Sequence, residues 1–211
     1  MGDDPKRTVA DGYDLIAQRY LDWSGLNPSS QRTRYLERLL ALLPAGAELL
    51  ELGCGAGIPV ARALAERCQV TGVDISAAQI ALARQHVPGA TFIQADMAEL
   101  DFPPALFDAV VGFYSLIHLP RAEHAALLGR IASWLRPGGL LLATMGAGDA
   151  PGSVEPDWLG APMFWSHFDA DTNRALVRQA GLDLLDDSVT ADDEHGQPVP
   201  FLWIVARKAG A

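Results

Sequence analysis

A glycine at every second position, in the run Glu51-Leu52-Gly53-Cys54-Gly55-Ala56-Gly57, constrains this chain more than any other stretch. It closes the apolar segment Glu48-Leu49-Leu50-Glu51-Leu52, read as a strand, and precedes residues 58–67, read as a helix. Glycines at a strand-to-helix joint permit a sharp turn and let a bound molecule lie against the backbone, where a side chain would collide. The free N–H groups of the following helix are expected to face that molecule. The same glycines can also serve a tight turn and nothing more, so the flanking sequence has to separate the two readings.

Downstream, short Val-, Ile- and Leu-rich runs alternate with helical patterns. Strands are expected at 69–73, 90–94, 107–113 and 140–145, with helices at 76–86, opening on Ser76 as N-cap, and at 120–135, stopped by Pro137-Gly138-Gly139. That rhythm indicates an α/β fold whose parallel sheet carries helices on both faces. The tail departs from it. A helix near 172–180 precedes the run 182–190, and a charged loop over 191–198 leads to a strand at 199–206. Strands joined by a loop are most simply antiparallel neighbours. Upstream, residues 8–43 are helical in two pieces separated by the turn-forming stretch 24–28. The first piece puts Tyr13, Ile16, Ala17 and Tyr20 on one face; the second carries Tyr35, Leu36, Leu39, Leu40 and Leu43. The chain divides into an N-terminal helical lid, 1–45, and a core, 46–211, with a substrate-side insertion at 146–168.

The 211 residues carry a formal net charge of −10 and no Lys/Arg cluster, which argues against a nucleic-acid partner or an anionic membrane. No apolar run reaches membrane-spanning length, the N-terminus reads as lacking a secretory leader, and two cysteines, Cys54 and Cys68, suit a reducing compartment. A cytoplasmic monomer or homodimer is expected. Neither cysteine has zinc spacing, and no histidine pairs with carboxylates at ligand spacing, so no metal is expected.

A dinucleotide site usually shows GxGxxG, the third glycine admitting close packing of the pyrophosphate-binding helix. Here the third glycine comes one residue early, and Glu51 precedes the turn. S-adenosylmethionine (SAM) has no pyrophosphate; its ammonium and carboxylate suit backbone groups and an acid beside the turn. Asp74 ends the second strand and can accept from both ribose hydroxyls, or cap the next helix. Asp96 ends the third strand and can accept from an adenine amino group, with Ile75 and Met97 flanking the ring, or stand as a surface acid.

On these motifs, with Ile58-Pro59-Val60, residues 107–119 and Leu135-Arg136-Pro137-Gly138-Gly139-Leu140-Leu141-Leu142, the chain resembles the class I SAM-dependent methyltransferases. More narrowly, it resembles the small bacterial group that includes ubiquinone- and menaquinone-type methyltransferases. The resemblance runs from about Gly12 to Met145. It implies a Rossmann-like sheet of seven strands ordered 3-2-1-4-5-7-6, with strand seven antiparallel. It also implies that Glu51, Gly53, Cys54, Gly55, Gly57, Asp74, Ile75, Asp96, Met97 and the backbone near Phe113 surround SAM, and that Tyr13 and Tyr20 match lid tyrosines closing over its methionine end. Core packing on an amphipathic helix is the other reading of those tyrosines.

Ligands of open parallel sheets bind beyond the carboxyl ends of the strands. Residues 113–120, with Tyr114 and His118, and the insertion's end, with Trp165 and His167, are therefore the expected substrate walls. Methyl transfer is an in-line displacement in which alignment and exclusion of water do much of the work. Tyr114 and Trp165 can offer aromatic faces to a cationic sulfonium. For a hydroxyl or protonated nitrogen acceptor, His118 and His167 are the candidate bases, and each can equally be a hydrogen-bonded structural residue. His124 reads as an exposed helix residue, His195 as part of a solvated loop, and Asp192-Asp193-Glu194 as an exposed charge run. The expected function is methylation of a small molecule at O, N or C. The alternatives are a SAM-binding regulator or partner subunit without turnover, and a nicotinamide oxidoreductase.

Overall fold

The computed structural model describes residues 4–26, 29–194 and 197–210. Two helices, α1 (Pro5–Leu26) and α2 (Ser30–Leu42), precede β1 (Glu48–Leu52), α3 (Val60–Ala65), β2 (Gln69–Asp74), α4 (Ala77–His86), β3 (Thr91–Gln94) and β4 (Phe107–Gly112). Then come α5 (His124–Trp134), β5 (Leu135–Gly146), β6 (Ala150–Trp158), β7 (Ala161–His167), α6 (Ala170–Gln179), β8 (Leu182–Asp186), β9 (Val189–Glu194) and β10 (Gln197–Lys208).

Side chains of a strand alternate between faces, and the fully buried β1 shows what that does here. Leu49 joins one apolar cluster with Val70, Val111, Leu142 and Trp203, covered by Tyr35, Leu36 and Leu39 of α2, Val60 and Leu64 of α3, and Ile80 of α4. Leu50 and Leu52 join the opposite cluster with Val73, Val110, Leu141 and Ile204, covered by Leu127, Leu128 and Ile131 of α5 and Val177 of α6. The sheet runs β3-β2-β1-β4-β5-β10-β8, with β9 paired to β10 as an eighth strand. Strands β1 to β5 pair in parallel, while β10 is antiparallel to β5, β8 and β9. With β8 as the sixth strand and β10 as the seventh, this is the expected order.

Three local expectations change. In the charged loop anticipated at 191–198, the described residues form a ladder instead, with Asp192 opposite Val199 and Asp193 opposite Pro198 on an edge strand. The insertion is a two-stranded antiparallel hairpin of β6 and β7. The helix anticipated at 120–135 starts as a 3-10 turn over Arg121–Glu123 and ends at Trp134. There β5 begins, and the register with β4 slips across Arg136-Pro137-Gly138-Gly139. Proline removes a ladder donor and Gly138 turns at φ +78°, so the chain bulges before the buried run resumes.

The N-terminal helices play different parts. Tyr35 of α2 stacks on Trp203 with ring centroids 4.9 Å apart, inside the sheet's own core. Val9 and Ile16 of α1 instead form a separate cluster with Ala161, Met163 and Phe164 of β7. Gly12 makes that approach possible, since a Cβ there would sit 2.6 Å from the Pro162 carbonyl oxygen. Thus α1 and the hairpin make one cover over the carboxyl ends of the strands. No helix among the described residues is long and apolar enough to cross a membrane.

Gly72 tests the closeness of β2 to its neighbours. A Cβ there would lie 2.7 Å from the Phe92 ring and 3.0 Å from Cys54 Cβ. Overpacking of this kind costs about 1–3 kcal/mol, so Gly72→Ala is expected to lower the urea midpoint by that equivalent at an unchanged m-value.

Candidate active site

At the end of β1 the chain turns through Gly53 (φ +71°), Gly55 (φ +52°) and Gly57 (φ +76°), a region that only glycine enters without strain. Gly53 also has no room for a side chain, because its Cβ would lie 2.3 Å from Ser115 Cβ. Four of the turn's amides are bonded within the protein. Gly53 and Cys54 N–H donate to the Val73 carbonyl at 2.8 and 2.9 Å, Gly57 N–H to the Cys54 carbonyl at 3.0 Å, and Gly55 N–H to Asp74 Oδ2 at 2.9 Å. These four donors of the turn are therefore occupied. Donors that would cradle an anion are tied to β2, and the floor of the site is lined by acids.

Those acids are Glu51 and Asp74. Glu51 is 4% exposed, and its Oε2 has no hydrogen-bond partner. Burial, reinforced by the charge of Asp74, pushes its carboxyl well above the usual range, and only Arg32 pulls the other way. Asp74 accepts from Gly55 N–H and, through Oδ1, from Ser76 N–H at 2.9 Å. Burial nevertheless raises its carboxyl to about 6. Gln79 also carries unpartnered atoms: it is 1% exposed, and neither its amide oxygen nor its amide nitrogen is bonded. Buried polar atoms are almost always paired, so three unpaired atoms on one wall mark the place of a polar ligand.

Glu51, Asp74 and Gln79 face one cleft, of about 800 Å³ counted to its open mouth. The cleft is also lined by Tyr13, Tyr20, Arg32, Gly53, Cys54, Gly55, Ile75, Met97, Phe113, Tyr114 and His118. The structure thus brings together most of the expected site residues, and it adds Arg32 and Gln79. Gly57 lies behind the cleft, where its Cβ position approaches Ala83 at 3.2–3.3 Å. Asp96 stands in an adjoining pocket with Asp74, Ile75 and Met97. There its Oδ1 accepts from Ala98 N–H at 2.8 Å, and its Oδ2 is 2.7 Å from Lys6 Nζ, which also reaches Glu123 at 2.6 Å.

His118 is buried at the cleft's upper end. Its Nδ1 is 2.9 Å from the Phe164 carbonyl oxygen, which can only accept, so Nδ1 carries the hydrogen. The Nε2 lone pair then receives the Tyr13 hydroxyl at 2.9 Å. Burial lowers the imidazole to about 4, against the help of the Phe164 carbonyl, and the ring is neutral. Trp165 is not on the cleft wall; it lies behind the imidazole at a centroid distance of 4.4 Å. His167 is also outside, with Nδ1 held by the Gly148 carbonyl at 2.7 Å, so the two expected bases are not brought to one place.

Tyr114, at φ +54°, is locked on three sides. Its N–H donates to Thr144 Oγ1 at 2.5 Å, and its hydroxyl donates to Asp192 Oδ2 at 2.6 Å. Asp192 Oδ1 also takes the Ser29 hydroxyl at 2.9 Å, and Ser29 Oγ caps α2 by accepting Arg32 N–H at 3.0 Å. Burial and the bond to Asp192 push the phenol upward, which keeps the proton on Tyr114. Asp192 is thus not part of an exposed charge run: it ties the extra edge strand to the cleft wall. His124, expected exposed, is 1% exposed and bonded to the Leu119 carbonyl at 3.1 Å; His195 lies outside the described residues.

Gln79 had a sequence signal that pointed elsewhere. Ser76-Ala77-Ala78-Gln79 is a capping-box spacing, and Gln79 N–H does donate to Ser76 Oγ at 3.1 Å. The reciprocal bond is missing, because Asp74 has taken Ser76 N–H, and the glutamine amide is left facing the cleft. Arg32 carries no local signal; the Ser29 cap holds its backbone, and its guanidinium lies over the Tyr114 ring, 5.7 Å from the centroid.

The sheet order is that of the class I SAM-dependent methyltransferase fold. Residues 49–139 match the family model described as a methyltransferase domain. The chain is 36% identical over 154 residues to the 27-O-demethylrifamycin SV methyltransferase of Amycolatopsis mediterranei (strain S699), covering 63% of this chain and 56% of that protein. It is 38% identical over 133 residues to a trans-aconitate 2-methyltransferase of Methylobacterium nodulans, covering 59% and 50%. The chain therefore spans about half the length of these curated relatives. Among solved structures, the SAM-bound magnesium protoporphyrin IX methyltransferase of Synechocystis PCC 6803 superposes with a TM-score of 0.72, at 21% identity and 99% coverage of both chains. The [4+2]-cyclase SpnF gives 0.76, at 20% identity, with 96% and 95% coverage.

The neutral His118 has a consequence for stability. Its folded value of about 4 lies below the ordinary 6.5, so between them the unfolded chain binds more protons. That contribution is complete above pH 6.5 and is lost as pH falls toward 4. Asp74, raised to about 6 from 3.8, acts with the opposite sign over much of the same window. Urea melts of wild type and His118→Gln between pH 7 and 4.5 isolate the histidine: the variant is expected to lose less stability on acidification.

Proposed function

We propose that the chain binds SAM in this cleft and transfers its methyl group to a small-molecule acceptor by in-line displacement. The observation that carries the reading is the unpaired Glu51 Oε2 and Gln79 amide, buried on the wall of a cleft in which Gly53, Cys54, Gly55 and Gly57 N–H are bonded within the protein. Such a cleft suits a cationic, nucleoside-bearing ligand and not a pyrophosphate. Glu51 suits the ammonium, and Arg32, the cation among the described lining residues, suits the carboxylate. Asp74 retains lone pairs for ribose hydroxyls; Ile75 and Met97 offer flat apolar contact to the adenine, beside which Asp96 stands. When bound, SAM supplies a methyl group on a sulfonium sulfur that is already a leaving group. The chain's part is to orient it, to exclude water beneath α1, which carries Tyr13 and Tyr20, and to provide a proton acceptor at His118 Nε2.

The matched relatives, by their names small-molecule methyltransferases, support this reading, as does the methyltransferase-domain match. The narrower likeness to the ubiquinone- and menaquinone-type group rests on the glycine turn and the motifs at 58–60, 70–76, 92–97, 107–119 and 135–142. The same fold in a protein named a [4+2]-cyclase motivates a second reading, in which SAM is bound and no methyl is transferred. Titration calorimetry with SAM, followed by incubation of the loaded protein with methyl-labelled SAM and an acceptor panel, separates the readings. Binding with no transfer across the panel favours the second, and no binding removes both.

Two substitutions test the assignment of the methionine end. Glu51→Gln removes a buried charge, so the ligand-free protein is expected to melt at a higher temperature. Its affinity for SAM is expected to fall about 10- to 100-fold, the equivalent of a charge-assisted hydrogen bond. Arg32→Ala is expected to weaken SAM by a similar factor, with a smaller effect on adenosine, which lacks the carboxylate.

A further inference from the structure

The cleft's charges and hydrogen-bonding polarity say what kind of acceptor it takes, given the methyl-transfer reading on which this inference rests. The relatives named for trans-aconitate invite a polycarboxylate acceptor, and a polycarboxylate needs cations. Among the described lining residues there are two acids, Glu51 and Asp74, and one guanidinium, Arg32. The other cations near the site are engaged. Lys6 is held between Asp96 and Glu123, Arg19 donates to the Leu159 carbonyl, and Arg121 pairs with Asp149 at 2.6 Å. With SAM bound, Glu51, Asp74 and Arg32 are committed to it, so none of these lining residues supplies a cation to a tricarboxylate.

His118 points the same way. Its ring is locked as a hydrogen-bond acceptor at Nε2 by the Phe164 carbonyl on the other nitrogen, and what it accepts is the neutral hydroxyl of Tyr13. A carboxylate has no proton to offer that pair, whereas an alcohol or phenol has one. The surroundings are aromatic. Tyr13, Tyr20, Phe113 and Tyr114 line the cleft. Behind them, Trp158 meets Tyr13 and Tyr20 edge-on or tilted at 5.8 and 5.7 Å, and Trp165 meets Trp158 at 5.3 Å.

We infer that the acceptor is an uncharged hydroxyl on a flat, apolar, aromatic-type molecule, and that its proton is received by the Tyr13–His118 pair. As the acceptor oxygen's lone pair forms the new bond to the methyl carbon, the carbon–sulfur bond breaks and its electron pair stays on sulfur. The acceptor's proton passes to the Tyr13 oxygen while Tyr13's own proton passes to His118 Nε2, and the imidazolium returns it to water. A weak base is enough, because an oxygen gaining a methyl group becomes a strong acid. A methyl ester formed on a carboxylate would require no such pair.

The test uses the full chain loaded with S-adenosylhomocysteine. Failure of that loading, seen by calorimetry, removes the methyl-transfer reading itself. With loading established, 1-naphthol and a hydroxynaphthoquinone are expected to bind, and trans-aconitate to bind at least 10-fold more weakly. In turnover, Tyr13→Phe and His118→Gln are each expected to lower kcat for a hydroxyl acceptor by about 100-fold, with acceptor KM and SAM affinity within about 3-fold of wild type. Tyr13 lies on a surface helix, so its variant stays informative if His118→Gln fails to fold. Preferential binding of trans-aconitate, or a kcat within two-fold of wild type in Tyr13→Phe, overturns the inference.

Discussion

The bonds that tie the glycine turn to β2 set the character of everything above them. Gly53 and Cys54 share the Val73 carbonyl, and Gly55 donates to Asp74. In a phosphate-binding turn those N–H groups would point at the ligand and bring positive potential with them. Here they point into the sheet, and α3, only six residues long, adds little dipole behind them. What reaches the cleft from this corner is the carboxylate of Glu51, the remaining lone pairs of Asp74 and the amide of Gln79. The fold resembles dinucleotide-binding ones in outline, but buried carboxyl and amide side chains face its switch point.

That arrangement is costly in the absence of a ligand. Glu51 sits in low dielectric with no hydrogen bond to its Oε2, and its preference for the protonated form expresses the penalty. Such groups persist where a ligand completes them. The helix α1 lies outside the two apolar clusters of the sheet; Val9 and Ile16 pack on β7, and polar contacts add to that near its start and middle: Lys6 to Asp96 and Glu123, Asp14 to Ser76 and to Ala78 N–H, Tyr13 to His118.

The opposite side of the cleft is held by a different set of bonds. Tyr114 is fixed in a left-handed backbone conformation by Thr144, and its hydroxyl is fixed by Asp192 of β9. Asp192 also fixes Ser29, and through that cap the start of α2 and Arg32. One carboxylate on an added edge strand thereby aligns an aromatic wall and a cation from two distant parts of the chain.

The sheet order and the position of the site were readable from residue patterns because they depend on local physics. Strand burial follows from apolar runs, the turn from glycine's backbone freedom, and the placement of Asp74 from its position at a strand end. Where the expectations changed, the deciding contacts lay far apart in sequence. Gln79 was not singled out, and only the loss of Ser76 N–H to Asp74 leaves its amide facing the cleft. Asp192 looked solvated until the fold brought it to Tyr114, 78 residues away. His118 and His167 looked equivalent, and only the Phe164 carbonyl and the Tyr13 hydroxyl on one, and the Gly148 carbonyl on the other, made them different. Periodicity and turn chemistry specify which element a residue occupies. The partner of a buried polar atom is chosen by whatever the other elements bring within hydrogen-bonding distance, and that is a property of the packed chain.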